Sequence, residues 1–114
     1  MAFTGTILVV DDEKNIREGI KRFLEMEKHE VFLATNGQEA FEILTEHDFD
    51  VVITDLKMPI LSGEKLLEKV MALKPYIKVM VLTGHGTIEN AVAAMKNGAY
   101  DFFSKPVNTD KLIF

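Results

Sequence analysis

The side chains best able to do chemistry stand where short apolar runs end. Asp11 and Asp12 follow Ile7–Val10, Asp55 follows Val51–Thr54, Thr83 closes the run from Val79, and Lys105 follows Tyr100–Phe103. Three carboxylates gathered in one place repel one another unless a cation intervenes. Oxygen donors alone suit Mg²⁺, which is hard, keeps several waters and binds through one or two carboxylates plus phosphate oxygens. An imidazole or thiolate cluster would indicate zinc, but His29, His47 and His85 lack ligand spacing and there is no cysteine. Lys105 can pair with Asp55 or with a phosphoryl oxygen, and the Thr83 hydroxyl can donate to that same oxygen. Lys105 precedes Pro106, which pushes the lysine toward extended geometry and helps to aim it inward. Phosphoryl transfer onto Asp55 suits such a set, because it asks the protein for positioning and charge neutralisation.

Each residue also has a plainer reading. Asp11 and Asp12 could cap a helix. Asp55 could form a turn, although an idle charge directly after a buried strand is costly. Lys105 alone reads as a solvated lysine, Thr83 as a strand end, and Phe102 and Phe103 as core. The argument therefore needs the constellation, and the constellation needs elements that bring distant positions together.

Ile7–Val10, Val51–Ile53 and Val79–Leu82 read as strands buried on both faces, as a parallel sheet requires. Val31–Ala34 reads as a strand nearer an edge, and Tyr100–Phe103 as a fifth. Between them, Ile16, Ile20, Phe23 and Leu24 make one helical stripe. Asn36 with Glu39 forms a capping pair ahead of Ala40, Phe41, Ile43 and Leu44. Ser62 or Gly63 opens a third helix with Leu66, Leu67, Val70 and Met71 inward, and Pro75 lies beyond it. Thr87 opens a fourth, with Ala91, Val92 and Met95 as its apolar stripe and Asn97-Gly98 as its C-cap. Strand and helix alternate four times before the fifth strand, which predicts a parallel sheet with right-handed crossovers and helices on both faces. All carboxyl ends of such a sheet share one edge, where ligands bind. A fifth helix begins near Asn108-Thr109-Asp110, and the apolar Leu112-Ile113-Phe114 suggests a fragment cut within that helix.

The 114 residues are read as one domain, 1–114, with 47% apolar and 27% charged residues. The apolar runs are too short to span a bilayer, and no secretory signal is seen. A formal net charge of −5 argues against gripping nucleic acid. The lack of cysteine fits a reducing compartment.

Four segments, Ile7–Asp12 (ILVVDD), Val52–Pro59 (VITDLKMP) with Gly63 following, Val81–Gly86 (VLTGHG) and Gly98–Pro106 (GAYDFFSKP), together resemble the receiver domain of two-component response regulators along the whole chain. The DLKMP and TGHG segments look most like the nitrogen-regulatory, sigma-54-dependent activators. The resemblance implies a flavodoxin-like α/β fold, doubly wound with strand order 2-1-3-4-5. It implies Asp55 as phospho-acceptor, with Asp12, Asp55 and the backbone carbonyl of Lys57 touching Mg²⁺ and Asp11 doing so directly or through water. Thr83 and Lys105 would contact the phosphoryl group, and Phe102 would turn inward on activation, in a place where many relatives carry tyrosine. It also implies a sensor histidine kinase as phosphodonor, an output domain that is transcriptional in kind, cytoplasmic location, and a possible homodimer through the fourth helix, fifth strand and fifth helix. On this reading the domain is a switch and not an enzyme.

Two other classes remain for comparison. A Mg²⁺-dependent phosphatase or phosphotransferase working through an aspartyl-phosphate often has a second acid two residues after the nucleophile, where this chain has Lys57. A flavin-binding carrier of the same fold needs a phosphate cradle after the first strand, where Asp11-Asp12-Glu13 would repel phosphate.

Overall fold

The computed structural model describes residues 4–84 and 88–107. Five parallel strands lie in the order β2-β1-β3-β4-β5. They are β1 (Thr6–Val10), β2 (Glu30–Ala34), β3 (Val51–Asp55), β4 (Lys78–Thr83) and β5 (Asp101–Ser104), and four helices connect them among the described residues. These are α1 (Lys14–Met26), α2 (Gly37–Glu46), α3 (Gly63–Leu73) and α4 (Ile88–Lys96). Thr87, His85 and the expected fifth helix fall outside the described residues.

The apolar strands are buried on both faces because successive side chains alternate between two cores. On one face Leu8, Val10, Val52, Val79 and Val81 pack under Ala40, Leu44, Leu66, Leu67, Val70 and Ala94 of α2, α3 and α4. On the other, Ile7, Val9, Ile53, Met80 and Leu82 meet Ile20 and Leu24 of α1. Each such side chain, once fully buried, contributes about 1.5–3 kcal/mol. β5 starts one residue later than expected. The Tyr100 N–H instead bonds the Val79 carbonyl at 2.7 Å and leads the chain into the strand.

The expected caps at the starts of α2 and α3 are present. Asn36 accepts the Glu39 N–H and Ser62 accepts that of Lys65. Glu39 completes its half of the box one residue early, on the Thr35 N–H at 3.1 Å. The α4 face differs from expectation. Ala91 and Ala94 are buried, whereas Val92 and Met95 are 46% and 39% exposed. Small residues let this helix approach the sheet, and its bulky apolar residues point away from the core.

Two helices end in Schellman motifs. After α4, Gly98 takes φ 111, its N–H bonds Met95 and the Ala99 N–H bonds Ala94. After α1 the same pattern joins Lys28 to Glu25 and His29 to Leu24, but the left-handed position, φ 73, is held by Lys28. A side chain in that conformation is unfavourable by about 1–2 kcal/mol. Lys28→Gly should therefore raise stability by about 1 kcal/mol in urea unfolding, since the exposed lysine gives up no packing.

Candidate functional site

The strand order reverses direction between β1 and β3, and the crevice outside a parallel sheet's carboxyl ends forms at such a point. Val10 pairs with Thr54, so Asp11 and Asp55 emerge side by side. Asp55 is itself the last residue of β3, one position earlier than a residue that follows the strand. An open cleft of about 580 Å³ lies here, lined by Asp12, Glu13, Asp55, Lys57, Asn90 and Lys105 among others.

Lys105 sits at the centre. Its backbone N–H bonds the Thr83 carbonyl at 2.8 Å, its bond to Pro106 is cis, and its Nζ lies 2.9 Å from Asp55 Oδ2 and 3.0 Å from Asp11 Oδ2. Glu13 approaches the same ammonium at 3.6 Å. Burial alone would lower the lysine pKa, but its hydrogen bond to Asp55 and the attraction of the Asp55 and Asp11 carboxylates outweigh it and hold the group above its ordinary value.

Asp11 is fully buried. Its Oδ1 accepts the Glu13 N–H at 2.8 Å. Its Oδ2 is near Lys105 but badly aligned, so it makes an ion pair and no hydrogen bond. Burial pushes this carboxyl above its usual range, despite the Glu13 N–H and Lys105. Asp12, by contrast, is exposed. It is not a helix cap, because Glu13 holds the N-cap position of α1 and makes no side-chain capping bond there.

Asp11, Asp12 and Asp55 each present one oxygen, all within 4.8 Å of one another. A buried oxygen without a hydrogen bond, inside an all-oxygen cluster holding more carboxylates than ammonium groups, is the environment a hard divalent cation fits. The donor set passes that test.

The remaining expected residues surround this cluster. The Lys57 N–H bonds Asp55 Oδ1 at 3.3 Å, while its ammonium turns to Glu64 at 2.9 Å. Thr83 is buried at the end of β4, and its hydroxyl makes a long 3.4 Å bond to the Phe103 carbonyl. Phe102, on β5, is 37% exposed, whereas Phe103 packs against the α1-side core.

Sequence reasoning took Glu13 only as part of a phosphate-repelling run and missed Arg17, Glu64 and Asn90. Arg17, one turn into α1, donates to the Asp11 carbonyl at 2.8 Å and fixes the acidic loop. Glu13 was legible as the third acid of a run; Asn90 reaches the cleft only through the position of α4.

The response regulator receiver domain family matches residues 7–114. The C4-dicarboxylate transport transcriptional regulatory protein DctD of Rhizobium meliloti is 34% identical over 113 residues, covering 99% of this chain and 25% of that protein. An NtrX-like response regulator of Rickettsia bellii is 41% identical over 109 residues, covering 94% and 23%. Among solved structures, a response regulator receiver domain protein from Clostridium thermocellum superposes with a TM-score of 0.89 at 45% identity, covering 94% of this chain and 86% of that one. NtrX from Brucella abortus gives 0.91 at 36% identity, covering 96% and 25%. These relatives agree with the likeness to nitrogen-regulatory regulators. The chain spans about a quarter of the length of these curated relatives.

Opposite substitutions in the cluster should have opposite effects without divalent cation. Asp11→Asn removes a buried charge and should raise stability in EDTA by about 1 kcal/mol. Lys105→Met leaves the carboxylates without their cation and should lower it by about 3 kcal/mol, both read from urea midpoints at neutral pH.

Proposed function

The chain belongs to the response regulator receiver domain family, and from that premise we propose that it is a signalling switch phosphorylated on Asp55. The observation that carries this reading is the single Lys105 ammonium, 2.9 Å from Asp55 and 3.0 Å from an Asp11 oxygen that it meets as an ion pair. One ammonium cannot balance the surrounding carboxylates, which leaves room for a divalent cation and for the negative charge that arrives with phosphate.

Asp11, Asp12, Asp55 and the backbone carbonyl of Lys57 would hold Mg²⁺, which when bound neutralises charge on the transferring group. An Asp55 carboxylate oxygen attacks phosphorus, the bond from phosphorus to the donor nitrogen breaks, and the donor leaves with that electron pair. The product is an acyl phosphate. Lys105 is already within reach of Asp55 and can follow a phosphoryl oxygen with little movement. Thr83 gives up only a long bond if its hydroxyl turns toward the same group.

The donor of this reading is a phosphohistidine on a sensor kinase, and the setting is the cytoplasm. The output is a separate, transcriptional domain, in keeping with the regulators whose length this chain covers in part. Val92 and Met95 on α4, Tyr100 just before β5 and Phe102 on β5 expose apolar area, and this face supports a phosphorylation-dependent contact or dimer, to which the expected fifth helix would add. Phe102 can rotate as the family's aromatic switch does, without the hydroxyl that a tyrosine would carry.

Incubation with Mg²⁺ and acetyl phosphate should add the mass of one phosphoryl group. Asp55→Asn should abolish the gain and Lys105→Met should slow it by roughly 100-fold or more, as for loss of a charge-stabilising group. No gain in the wild-type chain would overturn the reading.

A further inference from the structure

The loop between β3 and α3, residues 56–62, carries Lys57 past Asp55, and its backbone is held in an unusual way. The Leu61 N–H donates to the Pro59 carbonyl at 2.9 Å, which closes a three-residue turn centred on Ile60. Ile60 takes φ 72 there. This is the rare, strained form of the γ-turn, and a branched side chain makes it less favourable still. The Ile60 side chain is 81% exposed, so packing does not hold it in place.

The restraint comes from the neighbouring backbone. The Leu61 carbonyl accepts the N–H of Gly37, the first residue of α2, at 3.1 Å. Just beyond, the Gly63 N–H bonds back to the Leu56 carbonyl at 2.9 Å. Gly37 is buried, and a Cβ placed on it would stand 2.3 Å from the Leu61 oxygen. Only glycine admits so close an approach without a shift of the loop. Strained backbone persists where its surroundings over-determine it. Here the surroundings are α2, a helix with no residue among those lining the cleft.

We propose that Gly37 and the Pro59–Leu61 turn form a brace that positions the Lys57 backbone for the divalent cation. Gly37 is then a positioning residue that acts through Leu61. The inference rests on the metal-binding reading above and adds to it the restraint that keeps the loop in register when no metal is bound.

The test compares Gly37→Ala, Ile60→Pro and Ile60→Gly in the full 114-residue chain. Proline is fixed near a φ of about −65° and cannot make the turn, whereas glycine adopts the positive φ freely. Mg²⁺ affinity is measured by calorimetric titration with MgCl₂, and amide hydrogen exchange at Leu61 and Gly63 is measured in EDTA. Gly37→Ala and Ile60→Pro should each bind Mg²⁺ roughly tenfold or more weakly, as for outer-shell partners of a metal, and should exchange faster at both amides. Ile60→Gly should rescue affinity to near the wild-type value. Leu44→Ala, a core change elsewhere on α2, should lower the unfolding midpoint without changing affinity, which separates positioning from stability. Should Gly37→Ala fail to fold, Ile60→Pro, in an exposed turn, carries the test. Wild-type affinity in Ile60→Pro, or equal losses in Ile60→Pro and Ile60→Gly, would overturn the brace alone. A wild-type chain that takes up no Mg²⁺ would overturn the metal reading and the brace with it.

Discussion

The ammonium of Lys105 lies between two buried carboxylates, and the rest of the site follows from that placement. It is close to both Asp55 and Asp11, yet it offers Asp11 proximity without a well-aligned hydrogen bond. The fold therefore keeps an acidic pocket partly neutralised. Full neutralisation would leave no use for a divalent cation. No neutralisation would make the buried charges too costly to keep. The intermediate condition holds the pocket together, and on the proposed reading it is what a cation and a phosphoryl group would use.

Topology makes this possible. Asp11, Asp55 and Lys105 are far apart in the chain, and each stands at the carboxyl end of a different strand of one parallel sheet. The apolar strands between two helical layers fix the backbone, so that polar groups at their ends need little further support. What support exists is local. Arg17 holds the Asp11 carbonyl, the Thr54 hydroxyl bonds the Asp55 carbonyl at 2.9 Å, and Gly37 holds the loop that carries Lys57. Each of these contacts reaches backbone, so the geometry of the acids is set through the main chain.

Much of this was legible in the residues. Runs such as Ile7–Val10 and Val51–Ile53 are too short and too rich in branched side chains for helices, and their spacing gave the parallel sheet and the shared edge. The capping residues Asn36 and Ser62 marked helix starts because their side chains can take up free N–H groups. Other features were hidden for physical reasons. The α4 stripe of Ala91, Val92 and Met95 holds only at Ala91, because a helix that packs closely on a sheet turns its small residues inward. Asp11 and Asp12 look alike in the chain, yet one is buried and paired while the other faces solvent, a difference that depends on strand register. Ile60 carries no signal of a left-handed turn, since the preference of its side chain opposes the conformation that its neighbours impose.

The central claim is that a carboxylate held by Lys105 in a cation-dependent acidic pocket takes up phosphorus, and it can be tested at the level of the atom. After treatment with a phosphodonor, borohydride converts an acyl phosphate to an alcohol, and peptide mass spectrometry locates the altered residue. The account predicts conversion at Asp55 when Mg²⁺ is present and none when EDTA replaces it. Conversion at another carboxylate, or equal conversion at Asp55 without a divalent cation, would contradict it.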